Sequence, residues 1–164
     1  MIGIGISIFL IGCSSPLPIK NNGILANQSE KTITSGQLLP ISAKARIPAR
    51  TIKLEVTKTE KQQNTGLMYR TSLSNNTGML FEFKPARKVN FWMKNCKISL
   101  DMIFLRDGVV EAIELSAAPC TADPCPTYES GTAVDRVIEL RGGRASELGV
   151  QVGDRVEIEF LPAN

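Results

Sequence analysis

From residue 50 to residue 161, apolar and polar positions follow one another at the spacing of short strands. Ile52, Leu54 and Val56 interleave with Lys53, Glu55 and Thr57, a period of two that turns the apolar set to one face of a half-buried strand. Thr59 followed by Gln62 forms a capping box and opens a short helix that runs to about Met68. Gly66 inside that helix weakens it by ~1 kcal/mol relative to alanine. Gly78 then leads into an apolar run at residues 79–83, and a second β-like run at residues 89–93 follows Pro85. Residues 100–105 and 109–115 flank Arg106-Asp107-Gly108, which reads as a hairpin because glycine tolerates the positive φ of a tight turn. Residues 134–140 form another strand, and residues 144–148 a short helix stopped by Gly149. Val156, Ile158 and Phe160 alternate with Arg155, Glu157 and Glu159 to close the chain. Six or seven strands with two small helices make a mainly β fold, a small antiparallel barrel or sandwich with two short helices.

The pattern before residue 50 is different. Residues 2–11 are an uncharged apolar run of about ten positions, too short to cross a bilayer as a helix and of the length of a secretory h-region. It ends in Leu10-Ile11-Gly12-Cys13, similar to a bacterial lipobox, in which the cysteine receives the lipid and becomes the mature N-terminus. Residues 1–12 are therefore expected to be a signal peptide and Cys13 the lipidation site. No Lys or Arg precedes the h-region, the one feature of a signal peptide that is missing, and whether the true start lies upstream of Met1 is a question the sequence leaves open. Residues 13–49 follow as a lipidated N-terminus and flexible tether, rich in Ser, Asn, Gln, Pro and Lys without a sustained period. Residues 33–41 retain enough apolar character to dock on the domain, which is placed at residues 50–161. Acyl chains contribute about 0.8 kcal/mol per buried CH2, so a multiply acylated Cys13 tethers the chain to a membrane surface without spanning it.

Composition narrows the chemistry. The chain of 164 residues carries 19 Lys and Arg against 16 Asp and Glu, a net charge of +3, and no run of like charges, so nucleic acid is not an expected partner. There is no histidine, which removes Ser/His/Asp and Cys/His nucleophilic sites and His-ligated zinc. No cofactor motif is present; the glycines near the C-terminus serve turns, without the Lys and Ser/Thr of a phosphate loop.

The candidate site is the segment from Phe91 to Phe104, which sets polar groups among apolar neighbours. Period two puts Leu100, Met102 and Phe104 on one face and Asp101, Ile103 and Leu105 on the other. A buried carboxylate at 101 needs partners, which Lys94, Arg70 or a run of backbone N–H groups can supply. If the preceding segment stays extended, Trp92, Lys94 and Cys96 share a side. Trp92, Lys94, Asn95, Asp101 and Arg70 are thus either a polar network that pins strand register or a pocket with an aromatic face for a sugar or another ring. A carboxylate pair for glycoside cleavage, Asp101 with Glu139 or Glu82, is a further alternative that depends on their separation. Met68, Met79, Met93 and Cys96 are either core filler or a soft-metal set suited to Cu(I). Cys120 and Cys125, bracketed by Pro119 and Pro126, are expected to form a local disulfide in an oxidising compartment, worth roughly 2 kcal/mol for so small a ring.

Taken in order, Gly66-Leu67-Met68-Tyr69-Arg70, Gly78-Met79-Leu80-Phe81, Phe91-Trp92-Met93-Lys94-Asn95, Leu100-Asp101-Met102-Ile103-Phe104, Cys125-Pro126, and Glu139-Leu140 with Gly142-Gly143, Gly149 and Gly153-Asp154 resemble the bacterial and archaeal family known as domain of unknown function 192. The resemblance spans residues 50–160 and departs from the family pattern at Cys96, where threonine or another small residue is expected. It implies a compact, β-rich, often exported domain without a settled activity. The expected function is that of a lipid-anchored, non-catalytic binding domain of the cell envelope, with a carbohydrate, a cell-wall fragment or a protein as partner. Cu(I) handling and carboxylate-dependent hydrolysis are the alternatives.

Overall fold

The computed structural model describes residues 35–47 and 50–162; the expected signal peptide and Cys13 lie outside the described residues. Among the described residues, nine strands and two helices follow in the order β1 (Ile41–Ile47), β2 (Arg50–Val56), α1 (Glu60–Thr65), β3 (Thr77–Arg87), β4 (Asn90–Trp92), β5 (Leu100–Arg106), β6 (Val109–Ala117), β7 (Thr127–Glu129), β8 (Val134–Arg141), α2 (Arg144–Leu148) and β9 (Glu157–Phe160). The fold is mainly β. Seven strands form one sheet in the order β6-β5-β8-β3-β2-β1-β9, and β4 and β7 pair separately. All pairs are antiparallel except β2 with β3, whose parallel register requires the crossover that α1 occupies.

The sheet curls into a half-barrel. Its two edges approach where Val110 N–H donates to Asp154, and Gly153 and Val156 donate to Val110 and Gly108 respectively, at 2.8–2.9 Å. Closing the edges removes unpaired strand groups that would otherwise template aggregation. Gly78 permits one close approach inside it, since a Cβ there would lie 2.7 Å from the Glu139 carbonyl and from a Leu140 methyl.

Both faces of the central strands are buried, which explains why residues 100–105 read as a near-continuous apolar run. Inside the curl, Ala43, Ala45, Ile52, Leu54, Leu80, Ile103, Leu105, Ile138 and Leu140 form the first core. The opposite parity, Met79, Phe81, Phe83, Leu100, Met102, Phe104 and Val137, forms a second core with Leu67, Met93 and Cys96. The segments 66–73 and 89–98 and the β4–β7 ribbon supply its cover.

Two stretches differ from the sequence expectation. Strand β1 lies within the span read as a tether and pairs with both β2 and β9. Its inward positions include Ala43 and Ala45, too small to raise a hydrophobic signal, yet both are completely buried. Just before it, Gln37 donates from Nε2 to the carbonyls of Gln62 and Gly66, each at 2.9 Å, capping the C-terminal end of α1. That helix stops at Thr65 because Gly66 turns out of it at φ 46° rather than continuing to Met68.

Candidate functional site

A groove of about 410 Å3 opens over the second core, lined by Gln63 and Asn64 of α1, Phe81, Phe83 and Arg87 of β3, Lys88 and Val89, and Asn90, Phe91 and Trp92 of β4. That volume is within the roughly 300–1,000 Å3 of small-molecule sites. Each wall has a local cause. The capping box at Thr59 and Gln62 fixes where α1 begins, and Gln63 donates to the Glu82 carbonyl at 3.0 Å, which holds the helix against β3. Register breaks in β3 between Glu82 and Arg87, around Pro85, so the strand bends and Arg87 swings over the Phe83 ring at 5.1 Å.

The floor is aromatic. Phe91 meets Phe81, Phe104 and Phe83 edge-on at centroid distances of 5.2, 6.1 and 6.5 Å, an arrangement favoured by the ring quadrupole. Next to it in β4, period two turns Trp92 outward, and its side chain is 48% exposed at the rim. Lys94 lies over the far side of the indole at 5.5 Å.

Sharing several residues with the groove, a recess of about 40 Å3 is lined by residues 63–68, Phe81, Phe91, Trp92, Cys96 and Glu139. Glu139 pairs in register with Met79 on one side and Met102 on the other, so it stands among thioethers in the second core. It is 4% exposed, and its Oε2 is buried without a hydrogen-bond partner among the described residues. Burial pushes its carboxyl up to about 8, because a low-dielectric setting disfavours the charged form. At pH 7 it is a neutral acid able to donate a hydrogen bond. Cys96 is likewise pushed up to about 12, first by burial and then by Glu139, so its thiol is protonated and a poor nucleophile.

The residues singled out in the sequence are dispersed. Trp92 is on the groove, and Met68, Cys96 and Glu139 line the recess. Lys94 and Asn95 line a separate dimple of about 230 Å3 beside Cys120 and Cys125. The segment is not extended past Trp92: Asn95 adopts φ 61° and Cys96 N–H bonds to Met93, a turn that leaves the cysteine buried. Met79 and Met93 are completely buried.

Asp101 and Arg70 are built into the scaffold. The Asp101 carboxylate, completely buried, accepts from the backbone N–H groups of Ser116 at 2.7 Å, Gly143 at 2.9 Å and Ala145 at 2.6 Å. It therefore ties β6 and the start of α2 to β5, the run of backbone donors that a carboxylate at this position needs. Arg70 pairs with Glu55 at 2.5 Å and donates to the Gln37 carbonyl at 2.7 Å, while Glu55 also accepts from Leu39 N–H. Strand parity further separates the carboxylates: Asp101 shares a face with Ile103 and Leu105, and Glu139 shares the opposite face with Val137. Glu82 belongs to the Asp101 face but sits in register with Arg136, while Asp101 sits in register with Leu140, about 13 Å along the strand at ~3.3 Å per residue. Glu139 is the one carboxylate among the described residues lining groove and recess, so a catalytic carboxylate pair is not assembled there.

Cys120 and Cys125 form the disulfide, with Cα atoms 5.7 Å apart. The loop it closes holds Asp123 against Lys94 at 3.1 Å. Replacing both cysteines by serine is expected to lower stability by about 2 kcal/mol in chemical denaturation while leaving the groove intact; a loss above ~4 kcal/mol would mean that the loop braces more than itself.

The sequence model of the family DUF192, described as Uncharacterized ACR, matches residues 41–158. Among solved structures, the chain is similar to a candidate transcription regulator from Sinorhizobium meliloti 1021, with 34% identity, a TM-score of 0.67, and 74% of this chain and 97% of that one covered. It is also similar to a protein of unknown function from Novosphingobium aromaticivorans DSM 12444, with 29% identity, a TM-score of 0.65, and coverage of 77% and 97%. No curated protein matches the sequence.

Proposed function

The chain belongs to the DUF192 family, and from that premise we propose that it is a non-catalytic binding domain whose groove takes a carbohydrate or cell-wall fragment. In this reading the domain is held in the cell envelope by lipid on Cys13, at the end of the lipobox-like Leu10-Ile11-Gly12-Cys13. The disulfide between Cys120 and Cys125 suits an oxidising compartment outside the cytoplasm.

The observation that supports the reading is the half-exposed indole of Trp92 at the rim of an aromatic-floored groove. Sugars present one apolar C–H face and a ring of hydroxyls; an indole covers the first, and the amides of Gln63, Asn64 and Asn90 answer the second.

Trp92 is the only tryptophan in the chain, so its fluorescence reports on the groove without labelling. Titrating the full chain in detergent with β-1,4-linked disaccharides and cell-wall fragments is expected to give a saturable shift. Trp92→Ala, followed by calorimetry because the reporter is lost, is expected to weaken binding at least tenfold with circular dichroism unchanged. Emission indifferent to every sugar, with a shift only on anaerobic Cu(I), would replace this reading by soft-metal handling through Met68 and Cys96.

A further inference from the structure

The recess that shares residues with the groove has its own chemistry, and the argument for it rests on reading the groove as a sugar-binding surface. We propose that the recess is the subsite for the acetamido group of an N-acetylated amino sugar, with the Glu139 carboxyl donating a hydrogen bond to the acetamido carbonyl.

Size, walls and polarity each point to such a group. A volume of about 40 Å3 exceeds the roughly 10–15 Å3 that a single water needs but cannot admit a sugar ring, so what enters is a small appendage of something bound in the groove. The walls include Leu67, Met68, Phe81 and Phe91, which suit a methyl. Among the lining side chains is the Glu139 carboxyl, and its Oε2 has no partner among the described residues. Buried polar atoms in folded proteins are seldom left so, and a neutral acceptor from a ligand satisfies this one. Gln63 and Asn64 line both groove and recess, and their amides offer acceptors to the acetamido N–H.

Charge excludes the ionised small appendages. No Lys or Arg lines the recess; the groove's cations, Arg87 and Lys88, are on its outer wall. A carboxylate or phosphate would therefore be buried beside Glu139 without a counter-charge, at a cost of several kcal/mol. An ammonium would require Glu139 to ionise in the same apolar surroundings. The groups facing Glu139 from the neighbouring elements are Met79 of β3, Met102 of β5, the α1 end and its following turn with Gln63, Asn64, Thr65 and Met68, and Cys96. Of these only Cys96 titrates, and burial keeps its thiol neutral well above pH 8.

The donor form of Glu139 is the protonated one, which burial maintains up to about pH 8. Affinity is thus expected to be flat from pH 5 to 7 and to fall about tenfold by pH 9, as the competent fraction falls. An ammonium ligand would show the opposite sign, tighter as pH rises.

The test compares di-N-acetylchitobiose with cellobiose, which share ring and linkage and differ in the acetamido groups, using the full chain and Trp92 fluorescence. Expected are a preference for di-N-acetylchitobiose of at least tenfold, the stated decline towards pH 9, binding retained but insensitive to pH in Glu139→Gln, and binding lost in Glu139→Leu. Glu139→Leu fills the site with an apolar side chain and is checked for fold by circular dichroism; the wild-type pH profile and sugar preference stand independently of both variants. Equal binding of the two disaccharides, or binding of di-N-acetylchitobiose that is indifferent to pH, overturns the subsite and leaves the sugar groove standing. Failure of both disaccharides to bind overturns the groove reading and the subsite with it.

Discussion

Glu139→Gln is expected to gain stability relative to the wild type as pH rises, by roughly 4 kcal/mol between pH 5 and pH 8, at ~1.4 kcal/mol per pH unit. In the folded chain Glu139 holds its proton to about pH 8, against an ordinary glutamate value of 4.5. Between those values the folded state binds one proton more than the unfolded state, so stability falls with rising pH. The contribution is full below pH 4.5 and gone above pH 8. Glutamine has the same shape and no proton to release, and its stability should lack this slope. The comparison is read from urea denaturation of both proteins at pH 5 and pH 8; the difference between the two pH values matters, since a buried amide has its own desolvation cost. Parallel curves would mean that Glu139 ionises freely and that water reaches it in the recess.

Asp101→Ala should be the most damaging single substitution among the residues considered. It removes one carboxylate and strands the N–H groups of Ser116, Gly143 and Ala145, all held by it at 2.6–2.9 Å. The Ala145 donor is buried and the other two are part-buried; an unsatisfied buried donor costs about 1–3 kcal/mol and one that water can reach costs less, so a total loss of roughly 2–4 kcal/mol is expected, a large part of the 5–15 kcal/mol typical of a domain. Asp101→Asn keeps one acceptor oxygen and should recover part of that loss. Denaturation midpoints measure both. A loss under 1 kcal/mol for Asp101→Ala would show that water can take over the three donors and that the link from β5 to β6 and α2 is dispensable.

These two carboxylates show what a sequence can and cannot display. The legible strands announce themselves locally, β2 and β9 by alternation and β3 and β5 by short apolar runs, and the β5–β6 hairpin by Asp107-Gly108, both at positive φ. The capping box of α1 and the glycine stop of α2 were likewise visible because a cap is a matter of three or four consecutive residues. Strand β1 was hidden by alanines at its inward positions, and β7 by having only three residues around Tyr128.

The site was less legible for a physical reason. Parity correctly puts Asp101 on the face of Ile103 and Leu105, but its partners come from residues 116, 143 and 145, and nothing near Asp101 in the chain points to them. Glu139 drew notice only as a partner for Asp101 in a carboxylate pair, not as a lone buried acid. The useful signal was that Val137 and Glu139 share a face while Ile138 and Leu140 fill the other, which places the carboxylate inward if both faces of β8 are covered. That condition depends on residues 63–68 and 91–96 meeting over the sheet, a tertiary fact. Trp92 stands out in the sequence as an aromatic face among polar neighbours, whereas nothing local announces the walls contributed by α1 and the bend of β3.

The most direct test is crystallographic: the full chain grown at pH 6 and soaked with di-N-acetylchitobiose. The account predicts a sugar ring against the indole of Trp92, with an acetamido group in the recess and its carbonyl oxygen within hydrogen-bond distance of Glu139 Oε2. Sugar density on another face of the domain, or an unoccupied groove in crystals that stay well ordered through the soak, would contradict it.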